Sequence, residues 1–468
     1  MSVKYVVDTE HNRYEVEKKL GGGAQGQVFE LKGGGLGTRY IAKIFVRSLE
    51  TAKARQKVRF LRVLKLDREI FALPLREISV PGPGYIAEMA TGMYSLENLK
   101  DLPQGEGLGA WHKKTGGFKK RYECLLNLAV ALRVLHGHGL IYGDMSPANV
   151  FVSEKEDKAG ICLIDMDNLK YTVGLAESIY TRFYGAPEVV NGKAPLSTMS
   201  DAYSFAVMAY ELLTLGHPLI GEMVSEGDPD LEDKALEGGL SWVEHEDETN
   251  RRVAGFPSKY VLAGPLRELF RQTFEEGLLN PLKRPSMAQW AEGLLESLNE
   301  LLKCGNEECG AYYPYNNLGE CPFCGFRPKN LLRIKVRLWA EREYDSEKKR
   351  FQSFGLTEEV SQEILLDENA PQIVRAEALL VPGLNPQEPI LKIEELQDNN
   401  ETSLRFTPLS EEVGFSVAQK NKDKVPGFEF KKKLDPRKEE KIKINRQEIK
   451  GFIHVRPLTE SQRVLTIE

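Results

Sequence analysis

The sequence predicts an α+β protein with a β-rich N-terminal lobe and a helical second lobe, followed by a four-cysteine module and a β-sandwich-like domain. Residues 14–90 contain short runs of β-forming residues between glycine-rich turns. Residues 118–138 and 198–302 carry apolar side chains at helical spacing. From residue 330 onward, β-type runs return, and turn residues separate them. The expected domains are 1–90 and 91–303 for the two lobes, 304–328 for the cysteine module and 329–468 for the β-rich domain.

The composition favours a soluble globular protein and disfavours several other classes. The chain has 468 residues, of which 41% are hydrophobic and 28% charged, enough for two or three domains. Its net charge of -6 gives no basic field that would indicate nucleic acid as the main partner. No apolar stretch of about 18 residues indicates a membrane span. The first residues lack the apolar core of a signal peptide, so we expect a cytoplasmic protein. The acidic segment 225–239 reads as a solvated loop.

A glycine-rich segment near the N-terminus, "LGGGAQGQVF" at 20–29, has the spacing of a phosphate-binding turn. Glycine lets the backbone turn sharply and lie close over phosphate groups, with its N–H groups facing the oxygens. A plain glycine-rich hairpin would produce similar letters, and "GGGLG" at 33–37 is an example. The context favours phosphate binding, because Lys43 follows on the apolar strand "YIAKIF". The expected nucleotide-binding residues in this region are Gly21, Gly22, Gly23, Ala24, Gly26, Val28 and Lys43.

The segment "LIYGDMSPANVFV" at 140–152 has the Asp-x-x-x-x-Asn spacing of a phosphotransfer loop. In such a loop the aspartate, here Asp144, accepts the proton of the substrate hydroxyl, and the asparagine, here Asn149, binds Mg²⁺. Asp165 comes 16 residues after Asn149, at the end of an apolar strand, where a second metal-binding group is expected. We therefore assign four catalytic residues, Asp144, Lys43, Asn149 and Asp165, of which Asn149 and Asp165 also bind Mg²⁺.

Motifs further along the chain distinguish between two kinds of kinase. The loop around Asp144 also resembles the Gly-Asp-x-x-x-x-Asn loop of aminoglycoside and choline kinases. Small-molecule kinases lack the motifs that follow here: Ala-Pro-Glu ending at Glu188, a central helix with Asp201, and "PLKRPSM" with Arg284. Over about residues 10–300, the chain resembles a eukaryotic-type (Hanks-like) Ser/Thr protein kinase.

The resemblance implies a bilobal protein-kinase fold, ATP and Mg²⁺ as cofactors, and transfer of the γ-phosphate to Ser/Thr hydroxyls of a protein substrate. It places the adenine at backbone groups of "YIAEMATG", around Glu88 and Ala90. It also implies that Glu188 pairs with Arg284 and that Thr181 bonds the catalytic aspartate. Asp201 would be a buried anchoring carboxylate.

Details of these motifs are closest to a bacterial subgroup found in tellurite-resistance-like gene clusters. The details are the Gly-Asp-x-x-x-x-Asn loop, the "LIDMD" segment and a cysteine cluster after the last helix. Kinases of this subgroup are often encoded beside metal-dependent protein phosphatases and von Willebrand-type domain proteins. The resemblance therefore implies these two kinds of protein as partners, beside a protein substrate.

The chain departs from the kinase pattern at four places. Gly143 replaces the arginine before the catalytic aspartate, and Ser146 stands where a lysine usually touches the γ-phosphate. Asp167 replaces the glycine of Asp-Phe-Gly, as either a second metal-facing carboxylate or an ordinary loop residue. The helix after Lys43 has no glutamate at the usual distance for an ion pair with that lysine. A small-molecule phosphotransferase and a nucleotide-binding pseudokinase scaffold therefore remain alternatives.

Four of the six cysteines cluster at 304–324, as Cys304-x₄-Cys309 and Cys321-x₂-Cys324. Two thiolates at x₂ spacing can bind one tetrahedral ion, so the cluster predicts a Cys₄ zinc ribbon. Iron is the main alternative, and disulfides are not expected in the cytosol. Four thiolates leave no open coordination position, which indicates a structural role. The sequence predicts no role for residues 329–468.

Overall fold

The computed structural model describes most of the chain and divides it into two compact units. The first unit comprises Met1–Gly116, Glu123–Phe256 and Leu269–Ala291, and the second comprises Gly117–Tyr122, Pro257–Glu268 and Glu292–Glu468. The described residues are 3–23, 26–33, 38–46, 51–171, 180–225, 227, 230–253, 255–315, 319–328, 331–340, 344–345, 350–351, 355–367, 370–376, 388–398, 401–411, 413–420, 428–433, 440–444, 451–456 and 462–467. Among them, no helix has both the length and the apolar character that crossing a membrane requires.

The first unit begins with a closed barrel of six antiparallel strands in the order β1-β2-β3-β4-β6-β5. Its strands are β1 (Tyr5–Asp8), β2 (Arg13–Gly22), β3 (Gly26–Leu31), β4 (Tyr40–Phe45), β5 (Arg76–Val80) and β6 (Gly84–Glu88). Successive side chains of each strand point to opposite faces of the sheet, and the inward ones form an apolar core that includes Val6, Ala42 and Ile86. At Gly26 a Cβ would stand 2.6 Å from Ile44 O, so only glycine permits β3 and β4 to approach this closely.

Helix α1 (Thr51–Val63) packs against the barrel. Its buried Ala54 and Val58 join an apolar cluster with Phe45 and Tyr85 of the barrel. No acidic residue occurs in this helix. Arginines on its outer face instead bind Glu77, a buried residue of β5, with Arg59 Nε 3.0 Å from Glu77 Oε2. Apolar packing and this ion pair together fix the helix on the barrel.

The helical lobe has short sheets at its start and a buried central helix. The sheets are β10-β9-β7 and β11-β8. The central helix α5 begins at a capping box formed by Ser197 and Ser200 and is buried along most of its length. The strands and α-helices of this lobe are β7 (Met93–Ser95), α2 (Leu108–Lys114), α3 (Gly117–Gly137), β8 (Leu140–Ile141), β9 (Val150–Ser153), β10 (Ile161–Leu163), β11 (Lys170–Tyr171), α4 (Pro187–Val190), α5 (Thr198–Thr214), α6 (Glu222–Ser225), α7 (Asp230–Leu236), α8 (Ser258–Val261), α9 (Gly264–Phe274) and α10 (Met287–Asn299).

The prediction of a solvated loop in the acidic segment 225–239 is wrong at its centre. Residues Asp230–Leu236 form helix α7, and its Ala235 and Leu236 are buried. Three acidic residues of the segment, Asp230, Glu232 and Asp233, lie in the first turn of this helix, where the positive end of the helix dipole stabilises negative charge. Two apolar residues at the end of the segment were therefore sufficient to dock a short helix.

The second unit contains two larger antiparallel sheets and a small hairpin that carries the cysteines. The sheets have six strands in the order β17-β14-β25-β24-β21-β22 and four strands in the order β18-β19-β20-β23. Its strands are β12 (Leu301–Lys303), β13 (Tyr312–Pro314), β14 (Leu331–Ala340), β15 (Tyr344–Asp345), β16 (Arg350–Phe351), β17 (Gly355–Asp367), β18 (Gln372–Arg375), β19 (Pro389–Asp398), β20 (Glu401–Pro408), β21 (Gly414–Lys420), β22 (Phe428–Lys433), β23 (Glu440–Ile444), β24 (Gly451–Arg456) and β25 (Gln462–Ile467).

Within the second unit, the cysteine hairpin, which here means residues 301–315 and 319–328 with β12, β13 and the four cysteines, packs on the first turn of α3. Phe323 of the hairpin stacks on Phe118, with ring centroids 5.9 Å apart. Lys119 Nζ lies 5.2 Å from the ring centre of Tyr312, within the range of a cation–π interaction. These contacts join residues that are about 200 positions apart in the chain into one packed region.

Candidate active site

The glycine-rich turn joins β2 and β3 at one end of the barrel. Strand β2 ends at Gly22 and β3 begins at Gly26, and the Gly23 amide donates to Gly26 O at 2.9 Å. Among the described residues, no atom lies within 4 Å of the place where a Cβ at Gly21 or Gly23 would stand. Internal packing therefore does not explain these glycines, whereas a ligand that approaches the backbone would. Ala24, also assigned to this turn, lies outside the described residues.

Lys43 lies at the centre of β4, opposite Val28 of β3, and is 4% exposed. Its Nζ is 2.8 Å from Asp167 Oδ1 and 3.1 Å from Asp165 Oδ1. Burial alone would lower the pKa of Lys43, but the attraction of Asp167 and Asp165 outweighs burial and raises it. The lysine is therefore a buried, charged group held by two carboxylates.

The catalytic-loop residues lie together after β8. Asp144 Oδ1 accepts a hydrogen bond from Thr181 Oγ1 at 2.7 Å, as expected for Thr181. The Asn149 amide donates to Asp144 O at 2.9 Å and lies 3.3 Å from Asp144 Oδ2. Ser146 is buried and uncharged, where the kinase pattern has a lysine. The loop thus brings one carboxylate and one amide side by side.

Asp201 of α5 anchors this loop through hydrogen bonds to its backbone. Its carboxylate accepts the Tyr142 amide at 2.7 Å and the Gly143 amide at 2.9 Å, and His136 Nε2 lies 3.1 Å away. The expected role of Asp201 as a buried anchor is confirmed. Gly143 has a φ of +88°, a conformation that glycine adopts without strain. The Tyr142 hydroxyl donates to Ile164 O at 2.6 Å and ties the loop to the strand before Asp165.

Asp165 lies directly after β10 in the left-handed conformation, with a φ of +53°. Its side chain is 35% exposed, which leaves it accessible to solvent. Burial raises the pKa of Asp165; Lys43 opposes this, while the neighbouring carboxylates Asp167 and Asp144 raise the pKa further. A carboxylate with an excess of negative charge around it is a favourable ligand for a hard cation such as Mg²⁺. The donor set therefore fits the metal that the sequence predicted.

The two residues assigned to adenine lie where β6 ends. Glu88 is the last residue of β6 and pairs with Tyr40 of β4, with its side chain exposed. The Met89 amide donates to Arg39 O at 2.9 Å, so this backbone donor is already used within the protein. Ala90 follows in the half-buried segment that leads to β7.

Glu188 and Arg284 form the ion pair that the motifs predicted. Arg284 donates through both terminal nitrogens, to Glu188 Oε1 at 2.8 Å and to Glu188 Oε2 at 2.7 Å. The arginine also donates to the carbonyls of Gly277, Leu278 and Met199, and its side chain is fully buried. This arrangement fixes the segment that follows Thr181.

A model of the protein kinase domain matches residues 14–290 of the chain. The chain belongs to the protein kinase family. Its matched region covers both the barrel with Lys43 and the helical lobe with Asp144, Asp165 and Arg284.

Similar kinases occur in animals and in bacteria. The kinase is 30% identical over 225 residues to "Ribosomal protein S6 kinase alpha-2" of Homo sapiens, which covers 45% of this chain and 28% of the relative. It is 28% identical over 234 residues to "Serine/threonine-protein kinase PkaA" of Streptomyces coelicolor, covering 45% of this chain and 40% of the relative. It is 24% identical over 220 residues to "Probable serine/threonine-protein kinase PknB" of Lactococcus lactis, covering 45% and 33%. The chain thus matches less than half the length of these relatives.

In this kinase, Asp167 is the functional-site residue that sequence reasoning did not resolve. Its carboxylate binds Lys43 and also accepts a hydrogen bond from the Tyr85 hydroxyl at 3.2 Å. Two sequence signals pointed to it: the missing helix glutamate, and an aspartate two positions after Asp165. Nothing in the sequence linked the two signals, because Asp167 and Lys43 are 124 positions apart.

The four cysteines of the kinase's C-terminal part converge at one place in the second unit. Their sulfur atoms lie within 4.8 Å of one another, with Cys304 Sγ 3.4 Å from Cys324 Sγ and Cys309 Sγ 3.9 Å from Cys321 Sγ. Cys304 and Cys321 are buried in an apolar cluster that includes Tyr313, whereas Cys324 is exposed. Four sulfurs at these distances fit one tetrahedral ion.

Proposed function

We propose that this protein is an ATP- and Mg²⁺-dependent kinase that transfers the γ-phosphate to Ser/Thr hydroxyls of a protein substrate. Asp144 would accept the proton of the attacking hydroxyl, and Lys43 would bind the α- and β-phosphates. The proposal is supported by membership of the protein kinase family and by the similarity to Ser/Thr kinases.

The hydrogen bond from Thr181 to Asp144 is the observation that carries this proposal. Thr181 belongs to the segment that ends in Ala-Pro-Glu, which small-molecule kinases lack. Its hydroxyl lies 2.7 Å from the carboxylate oxygen, the distance that a substrate hydroxyl would need for proton transfer. The segment that would bind a peptide is thus tied to the group that would activate the acceptor.

The nucleotide and the metal would be held by the residues predicted for them. The backbone of the glycine-rich turn at 21–26 would contact the phosphates, and the segment Glu88–Ala90 would contact the adenine. Asn149 and Asp165 would hold Mg²⁺, which neutralises charge on the β- and γ-phosphate oxygens when bound. Because Asp167 is buried and occupied by Lys43, we do not assign it to the metal.

The test is transfer from radiolabelled ATP by the pure protein, with generic protein substrates, products of neighbouring genes, and a panel of aminoglycosides and choline. We expect label in protein, released as phosphoserine or phosphothreonine on acid hydrolysis. Label only in a small molecule would establish the runner-up, a small-molecule phosphotransferase. Binding of ATP without any labelled acceptor would instead favour a pseudokinase scaffold.

The pseudokinase alternative has its own observation. Ser146 is buried where a lysine would touch the γ-phosphate, so one positive charge is missing from the described part of the site. The remaining groups argue for catalysis, since Lys43, Asp144, Asn149 and Asp165 are all present, with Lys43 beside Asp165 and Asn149 beside Asp144. A measured transfer rate decides between the two.

We also propose that the four cysteines form a structural Cys₄ zinc ribbon. The convergence of four sulfurs supports a metal site, and the "CPFCG" knuckle favours zinc over iron. The ribbon would stabilise the hairpin of β12 and β13, whose apolar cluster includes two of the ligands. The domain limits 304–328 for the ribbon and 329–468 for a β-sandwich-like domain belong to the same proposal.

Protein purified without chelators should contain about one zinc ion per chain, because the four sulfurs form one site. Elemental analysis measures it, and also shows whether iron is present instead. Cys321→Ser should abolish the bound metal and lower the melting temperature, while ATP binding changes less. Cys124→Ala and Cys162→Ala, which alter cysteines outside the cluster, should leave the metal content unchanged. A metal content near zero in the unaltered protein would contradict the proposal.

The subgroup and partners are proposed on resemblance alone. We propose that this kinase acts in the cytoplasm with a metal-dependent protein phosphatase and a von Willebrand-type domain protein encoded nearby. The motifs around Asp144 and Asp165 and the cysteine cluster support this placement. Labelling of the von Willebrand-type protein, and its reversal by the phosphatase, would support it.

A further inference from the structure

We propose that Asp167 is the positioning residue that orients Lys43 toward the nucleotide phosphates, in place of a glutamate from helix α1. This inference rests on the proposed function, because it assigns Lys43 to those phosphates. It assigns to Asp167 a role in the transfer reaction that is separate from metal binding.

The geometry separates the roles of the two aspartates near Lys43. The Asp167 side chain is 5% exposed, and its Oδ1 is bound by both Lys43 Nζ and the Tyr85 hydroxyl. The Asp165 side chain is 35% exposed and lies slightly farther from Lys43, at 3.1 Å against 2.8 Å. One carboxylate is therefore enclosed by protein donors, and the other remains accessible to a metal. If Asp165 alone held the lysine, Lys43 and Mg²⁺ would compete for the same oxygens.

Helix α1 cannot supply the missing carboxylate, since it contains no acidic residue. It packs against the turn Met166–Asn168, and its half-buried Lys57 interacts electrostatically with Asp167 of that turn. Burial lowers the pKa of Lys57, while Asp167 opposes this effect and the cations Lys170 and Lys43 add to it. The helix thus contributes a cation, and not a carboxylate, to the electrostatic surroundings of Asp167.

The attachment of α1 to the barrel agrees with this assignment. The buried Glu77 of β5 binds Arg59, and Arg55 Nε lies 3.8 Å from the same carboxylate. Phe60 of the helix packs on Tyr171 of β11, with ring centroids 5.0 Å apart. The lysine is oriented by the segment that carries Asp165, so its alignment does not require a rotation of the helix.

The test removes the carboxylate of Asp167 and returns one from the helix. We expect Asp167→Asn to lower kcat/KM for ATP by about 100-fold, the scale of loss when a reacting group is misplaced by about 1 Å. The double variant Lys57→Glu/Asp167→Asn should recover at least about tenfold of this, because residue 57 lies within electrostatic range of Lys43 and a glutamate there would return a negative charge. The matched control, Gln56→Glu/Asp167→Asn, adds a carboxylate on the exposed side of the same turn and should recover nothing.

Thermal melting separates positioning from a structural role. If Asp167→Asn retains the kcat/KM of the unaltered protein, the inference is overturned. It is also overturned if the loss follows a matching fall in melting temperature and Lys57→Glu does not repair it. If the unaltered protein transfers no phosphate, the proposed function fails, and the inference is then tested by Mg²⁺–ATP binding. In that assay, weaker binding by Asp167→Asn that Lys57→Glu restores supports the inference, and unchanged binding overturns it.

Discussion

Asp144→Asn should lower kcat for phosphate transfer by about 1,000-fold, within the range that a positioned general base contributes. The amide keeps the shape of the side chain and can still accept a hydrogen bond from Thr181, but it cannot take a proton from the acceptor hydroxyl. Affinity for Mg²⁺–ATP should stay nearly unchanged, since Lys43 and Asp165 are untouched. Steady-state transfer assays and a fluorescent-nucleotide titration measure the two quantities separately.

The matched control for this change is Asp157→Asn, an identical substitution at an exposed loop residue of the same lobe. It should leave kcat and the melting temperature unaltered. If Asp144→Asn keeps kcat within about tenfold of the unaltered protein, then Asp144 is not the base, and another group must activate the hydroxyl. A loss that appears only in ATP affinity would assign Asp144 to nucleotide binding instead.

Arg284→Met should lower the free energy of unfolding of the first unit by about 3–5 kcal/mol, the cost of removing one partner of a buried ion pair. The Arg284 side chain is fully buried, and the variant would leave the Glu188 carboxylate, 12% exposed, without its bidentate partner. Three backbone carbonyls would lose a donor at the same time. The midpoint of urea unfolding, followed by tryptophan fluorescence, measures the change.

Arg182→Met provides the comparison for this prediction. Arg182 also binds two carboxylates, those of Glu232 and Asp233, but its side chain is 60% exposed. Solvent screens exposed ion pairs, so this variant should shift the midpoint little. Equal shifts for the two arginine variants would contradict the assignment of Glu188–Arg284 as a buried structural pair.

Much of this site could be predicted because each motif is local in the chain. Asp144 and Asn149 lie five residues apart in one loop, and the Asn149 side chain bonds the Asp144 carbonyl within that loop. Glu188 and Arg284 are 96 positions apart, but the resemblance to the kinase family predicted their ion pair, and the structure contains it. These residues could be predicted because each belongs to a short motif that is recognisable in the sequence.

The partner of Lys43 could not be predicted, because it depends on which side chains meet after the lobes have folded. Lys43 lies on β4, and Asp167 lies in a turn after β10 against which α1 packs; the two residues meet only in the folded protein. The same holds for Tyr142, whose hydroxyl bonds a carbonyl 22 positions away. Helix α7 was misread for a related reason, since burial of Ala235 and Leu236 outweighed the acidic composition around them.

The stacking of Phe118 on Phe323 affects how this protein can be shortened for expression. The family match ends at residue 290, yet the first turn of α3 belongs to the same compact unit as the cysteine hairpin. A recombinant fragment that stops at 290 would leave Phe118 without its stacked ring and Lys119 without Tyr312, and apolar surface so exposed promotes aggregation. Cloning boundaries for a catalytic fragment therefore belong after the hairpin, and gene fusions that replace the C-terminal half need to keep it.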